Sequence, residues 1–153
     1  MRWLMLPEGK LIRGETTLRE MALPEDVKLT KKSLVRWIAL SLGLISPNES
    51  RTILLDVLEA LINLRVRGIQ PTTKEILDEL AAMNAGADEK SVYYHLLRMK
   101  EAGLVGKRDG KHFFGDGEEG RLSEVVRKVY QKRFDSSFSS VGQALDTLEG
   151  INR

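Results

Sequence analysis

The chain of 153 residues contains no cysteine and only two histidines, His95 and His112. Without cysteine there is no disulfide framework, no thiolate zinc site and no cysteine nucleophile. Two histidines are too few for a histidine-based structural metal site. No apolar run approaches the ~20 residues that a membrane span requires. The opening MRWLMLPEGK lacks a long apolar segment followed by small residues, so it does not read as a signal peptide. Excess charge of one sign is missing too: 24 Lys and Arg stand against 22 Asp and Glu, so net charge alone calls for no polyanion. There is no P-loop, no GxGxxG after a strand, no HExxH, no nucleophile elbow and no Ser/His/Asp arrangement. An enzyme is therefore not expected, and no cofactor is implied. What is present is 42% hydrophobic and 30% charged, the balance of a folded chain and not a disordered one. The expectation is a cytoplasmic protein forming one domain, or two small ones sharing a core. The wealth of charge and absence of cysteine suit a thermophile.

Three segments emerge along the chain. In residues 1–46, Trp3 to Leu6 and Leu11 to Arg13 flank Pro7-Glu8-Gly9-Lys10, which predicts a short hairpin. Thr16 to Met21 is expected as a short helix stopped by Leu23-Pro24. Thr30 caps a second helix, about Lys31 to Leu42, that ends at Gly43. Its apolar face is expected to carry Leu34, Trp37, Ile38 and Leu42, with Lys32 and Arg36 opposite. Two readings of this pair stay open: a helix-turn-helix with Lys32 and Arg36 as a second DNA contact, or a packing unit.

Ser46-Pro47-Asn48 marks the boundary to residues 47–117. A helix from about Glu49 to Arg67, capped by Asn48 or Ser50, is apolar around much of its circumference. Thr72 and Glu75 stand at capping-box distance before Ile76, Leu77 and Leu80. Asp88 caps a third helix, about Glu89 to Ala102, stopped by Gly103. Leu104-Val105 and His112-Phe113-Phe114 flank Asp109-Gly110, a strong hairpin signal. Helix, helix, turn, helix and basic hairpin form the plan of a winged helix-turn-helix. In the third helix, Val92, Leu96 and Met99 make the core stripe. The other side offers Lys90, Ser91, Tyr93, Tyr94 and Arg98 to a major groove, with Leu97 on the outer half. Lys107, Arg108, Lys111 and His112 make a cationic wing suited to phosphates. A charged helix face is also commonly just a solvated one, and Glu89, Glu101 and Asp109 dilute the positive potential. His95 reads as a packed side chain.

The run Ser91 to Val105, with His95-Leu96, Met99 and Ala102-Gly103-Leu104-Val105, resembles the recognition helix and first wing strand of ArsR- and MarR-like transcription regulators. The resemblance extends over about Glu49 to Gly115. It implies a winged helix and DNA binding, although winged helices also serve as protein-interaction modules. The thiolate motif of the metal-responsive ArsR members is absent, and the turn Met83 to Asp88 is longer than that family's tight version. The whole layout is similar to a group of uncharacterised archaeal predicted transcriptional regulators.

Residues 118–153 return to helical spacing. Leu122, Val126, Tyr130, Phe134 and Phe138 recur every fourth residue, and Val141, Leu145 and Leu148 continue at 3-and-4 spacing. A kink or break is expected in the stretch from Ser136 to Gly142. These eight apolar residues are expected to pair with a second copy; packing on the long helix of the same chain is the other reading. The fold class is thus mainly α with small β-hairpins: a winged helix-turn-helix with an N-terminal hairpin and helix pair, and a C-terminal helix. The expected function is sequence-specific, homodimeric binding to double-stranded DNA in transcription regulation. The alternative is a protein-interaction module of transcription, replication or chromosome machinery. Nothing identifies a small-molecule effector.

Overall fold

The computed structural model describes residues 7–50 and 53–152. Helix α1 spans Lys31–Ser41, α2 Ile53–Val66, α3 Thr73–Ala82 and α4 Glu89–Glu101. Strands β1 (Val105–Arg108) and β2 (Lys111–Phe114) follow, then helix α5 (Leu122–Ile151). The class is mainly helical with one small antiparallel hairpin among the described residues.

The helix starts follow local capping chemistry. The Thr30 side chain accepts from the Ser33 N–H at 3.1 Å. Thr72 and Glu75 close a reciprocal capping box at α3, and the Asp88 carboxylate accepts from the Ser91 N–H at 2.7 Å. These bonds to ionised acceptors hold Glu75 and Asp88 below the usual carboxylate range, backbone donors contributing most. Helix α2 buries Leu54, Val57, Leu58, Ala60, Leu61 and Leu64, and so sits in the middle of the molecule. The start expected at Glu49 abuts residues 51–52, outside the described set.

The N-terminal expectations need correction. Thr16 to Met21 forms no regular secondary structure and is not helical. The backbone N–H of Arg19 donates to the Ser41 carbonyl at 2.8 Å, and Ser41 Oγ donates back to the Arg19 carbonyl at 3.0 Å. These cross-links hold the segment against the end of α1, using backbone groups that a helix would bond internally. Residues Glu8–Leu11 form a 3-10 turn, and Leu11 to Arg13 is no strand. The partner strand expected at Trp3 to Leu6 lies outside the described residues. The buried residues of α1 are Val35, Ala39 and Ser41; Leu34, Trp37, Ile38 and Leu42 are half-buried. Trp37 is drawn towards the N-terminal segment, its indole donating to the Ala22 carbonyl at 2.7 Å.

One core joins the chain from Val35 to Val125, including Leu44, Ile45, Ile76, Leu80, Val92, Met99 and Phe114. The expected break in α5 is absent: the helix is continuous over 30 residues. Isolated serines cost only a few tenths of a kcal/mol each in a helix, and no proline interrupts the run. Its first turns pack Leu122, Val125 and Val126 on the core.

The Arg19 guanidinium donates to the carbonyls of Leu40 (2.7 Å) and Ile45 (3.0 Å). Arg19→Met keeps the apolar stem and removes these charge-assisted bonds. It should cost about 2–3 kcal/mol of unfolding free energy, read by urea denaturation.

Candidate nucleic-acid interface

The α4 side chains sort into two faces. Val92, His95, Leu96 and Met99 are buried; Lys90, Tyr93, Tyr94, Leu97, Lys100 and Glu101 are exposed. Tyr93 and Tyr94 remain about half exposed, and Tyr94 meets the edge of the His95 ring at 5.1 Å between centroids. Ser91 lies on the flank. Arg98 departs from the sequence expectation. Its guanidinium turns sideways and donates to the Leu44 carbonyl at 3.0 Å, tying α4 to the chain leaving α1. Leu97, at 53% exposure, occupies the middle of the outer face, covered by neither the hairpin nor α5.

The hairpin register pairs Val105 with Phe114 and Arg108 with Lys111. Asp109 and Gly110 both take positive φ, 54° and 77°, as a two-residue turn matched to strand twist requires. Lys107, Arg108 and Lys111 are exposed. Arg108 rides over the Phe113 ring at 5.0 Å, a contact that orients its charge.

His112 does not join them. It is 4% exposed, with Nδ1 3.0 Å from the Pro71 carbonyl, and its backbone N–H donates to that oxygen at 2.7 Å. It is a strut fastening β2 to the chain before α3, not a wing residue facing solvent. Burial pushes its pKa below 6.5, reinforced by the positive charges of Lys107 and Lys100 and opposed by the bond to Pro71. Lys100, exposed in the last turn of α4, is a further surface base that sequence reasoning missed. Its place in the last turn of α4 reads as complementing the helix dipole, which masked it as a surface base.

Lys32 and Arg36 are otherwise engaged. Lys32 Nζ lies 3.4 Å from Glu59 and 3.8 Å from Asp56, and Arg36 donates to the Glu49 carbonyl at 3.1 Å. They bridge α1 to α2 and its approach, on the side of α1 that carries Val35 and Ala39. With Thr16 to Met21 non-helical, no helix-turn-helix forms there.

The eight α5 residues divide. Leu122 and Val126 pack against the core, and the Tyr130 hydroxyl donates to the Leu42 carbonyl at 3.3 Å, so these three serve their own chain. Phe134, Phe138, Val141, Leu145 and Leu148 are 48–60% exposed. Arg133 fixes the angle at which α5 leaves. Its guanidinium donates to the Glu101 carbonyl at 2.7 Å, the C-terminus of α4, and lies where a Cβ on Gly103 would stand.

Comparison with known protein families, with curated proteins and with solved structures returns no match. The surface must therefore be read from its own chemistry. No group of three or more His, Cys, Asp or Glu able to hold a metal occurs among the described residues. Nor is any described helix long and apolar enough to cross a membrane. An open cleft of about 1070 Å³ separates the N-terminal segment (Ile12, Arg13, Thr16) from α5 (Val129, Lys132, Ser136).

Because folding depresses the His112 pKa, the unfolded chain binds the extra proton between the folded value and 6.5. Stability is full above that window and falls as pH drops through it. The urea midpoint should fall from pH 7 to pH 5, and His112→Asn should flatten the fall. An unchanged slope in the variant would remove His112 as its cause.

Proposed function

We propose that this chain is a sequence-specific DNA-binding regulator of transcription, a winged helix-turn-helix that acts as a homodimer. The supporting observation is the exposure of Lys90, Tyr93, Tyr94 and Lys100 on α4 together with Lys107, Arg108 and Lys111 on the hairpin. In this reading α2, α3 and α4 are the three helices and β1–β2 the wing. Helix α4 enters the major groove; Lys90 and Ser91 at its N-terminal end meet phosphates or base edges, and the tyrosine rings lie against thymine methyls. The wing cations hold backbone phosphates. Arg98 and His112 belong to the scaffold that aims these groups. The exposed half of α5 supplies self-association, which matches a palindromic site.

The second reading, a protein-interaction module, draws on Leu97. An exposed leucine between two half-exposed tyrosines would also suit an apolar contact with a protein.

Selection of bound sequences from a random duplex pool at physiological salt decides between them. An enriched palindrome is expected; recovery of no sequence would favour the interaction module. Lys107→Glu with Arg108→Glu should weaken DNA binding at least tenfold. Neutralising them to Ala should flatten the slope of log affinity against log salt by about 2, as for two lost phosphate contacts. Lys32→Glu with Arg36→Glu should instead lower the unfolding midpoint, and the DNA affinity of the folded fraction should not change.

A further inference from the structure

The exposed half of α5 is built for one kind of partner. Phe134, Phe138, Val141, Leu145 and Leu148 follow 4-3-4-3 spacing, the a/d seam of a heptad. At 100° per residue this seam lies roughly 150° around the helix from the line of Leu122, Val125 and Val129 that meets the body of the protein. A helix lying on the seam therefore runs along the side of α5 turned away from that body. Phe134 and Phe138 are already aligned, their rings stacked at 5.6 Å.

Charge along α5 is segregated. From Arg121 to Arg133 there are five bases and one acid, Glu124; from Phe134 to Asn152 there are three acids, Asp135, Asp146 and Glu149, and no base. Two copies side by side in parallel would set acidic half against acidic half. Reversed, Asp146 and Glu149 of one helix run beside the basic segment of the other. There Arg127, seven residues before Phe134, faces the seam side. The helix dipoles then also oppose.

Size fits the same sense. In reversed heptads an a position of one helix meets a d position of the other. With the two-fold axis between Ser139 and Ser140, Phe134 meets Leu145 and Phe138 meets Val141, bulky against smaller in each layer. Ser137 flanks Gly142 beside the axis, where the two backbones come closest.

We propose that residues 134–145 of α5 pair antiparallel with the same segment of a second copy, about a two-fold axis between Ser139 and Ser140, with Leu148 just beyond it, level with Gln131 of the other copy. The proposal rests on the self-association reading and adds its direction and register. The points where α5 docks on each body then lie about 40 Å apart, at 1.5 Å rise per residue. That is on the order of one turn of DNA.

The absence of cysteine makes the test clean. Val141→Cys and Leu148→Cys alter exposed positions in the full-length protein. The two 141 positions are offset by only about 5 Å along the axis, and the two 148 positions by about 25 Å. Treated with a short bismaleimide, Val141→Cys should give a covalent dimer and Leu148→Cys should not. Equal linking in both would establish a parallel pair, overturning the register while leaving self-association standing. Sedimentation of the unmodified protein at the 17.3 kDa monomer mass across micromolar concentrations would overturn both. Selection of a DNA sequence is scored separately and is not decided by either result.

Discussion

Helix α1 ends against the core, and the carbonyls of its last turn and of the residues just after it draw in much of what surrounds it. Leu44 and Ile45 are buried immediately after it, which limits the access of water there. Donors come instead from three distant segments. Arg19 takes the carbonyls of Leu40 and Ile45, Tyr130 that of Leu42 and Arg98 that of Leu44. A buried helix terminus thus ties the N-terminal segment, α4 and α5 to one turn. An unmet carbonyl there would cost about 1–3 kcal/mol, enough to make the four bonds selective for this arrangement.

The same constraint divides the cations of α4. Arg98 is held by Leu44, whereas Lys90 and Lys100 extend into solvent. A guanidinium suits the inward position because its planar fork stays charged and bonds a carbonyl at low desolvation cost. The result is an exposed face of lysines and tyrosines on a helix held at both ends. Asp88 caps its start, and Arg133 covers the Glu101 carbonyl at its finish.

Local chemistry was legible in the sequence; long-range satisfaction was not. Thr30, Thr72 and Asp88 cap where their spacing indicates, and Asp109-Gly110 turns the hairpin, because each acts on backbone within three residues. Arg98 was misplaced because its acceptor lies 54 residues away. His112 was misplaced because its acceptor, Pro71, is 41 residues distant and the strand pattern alone does not say which face is covered. Thr16 to Met21 has acceptable helix chemistry, but its polar groups are claimed by α1. In α5 the apolar spacing was visible throughout, yet spacing alone cannot show where packing on the chain's own core gives way to exposure.

That transition falls near Arg133 and bears on why α5 is helical at all beyond it. From Phe134 onward the helix has no buried residue among the described ones, and every residue but Gly142 is exposed. An isolated segment of that length, with four serines and two glycines, is marginal as a helix in water. Propensity therefore does not account for its regularity. The proposed pairing would supply the missing support, since removing the exposed parts of large apolar side chains from water is worth more than the helix-forming cost of the serines. Under the proposed pairing the heptad spacing from Phe134 to Leu148 answers to a partner helix, while the every-fourth-residue spacing before it answers to the chain's own core.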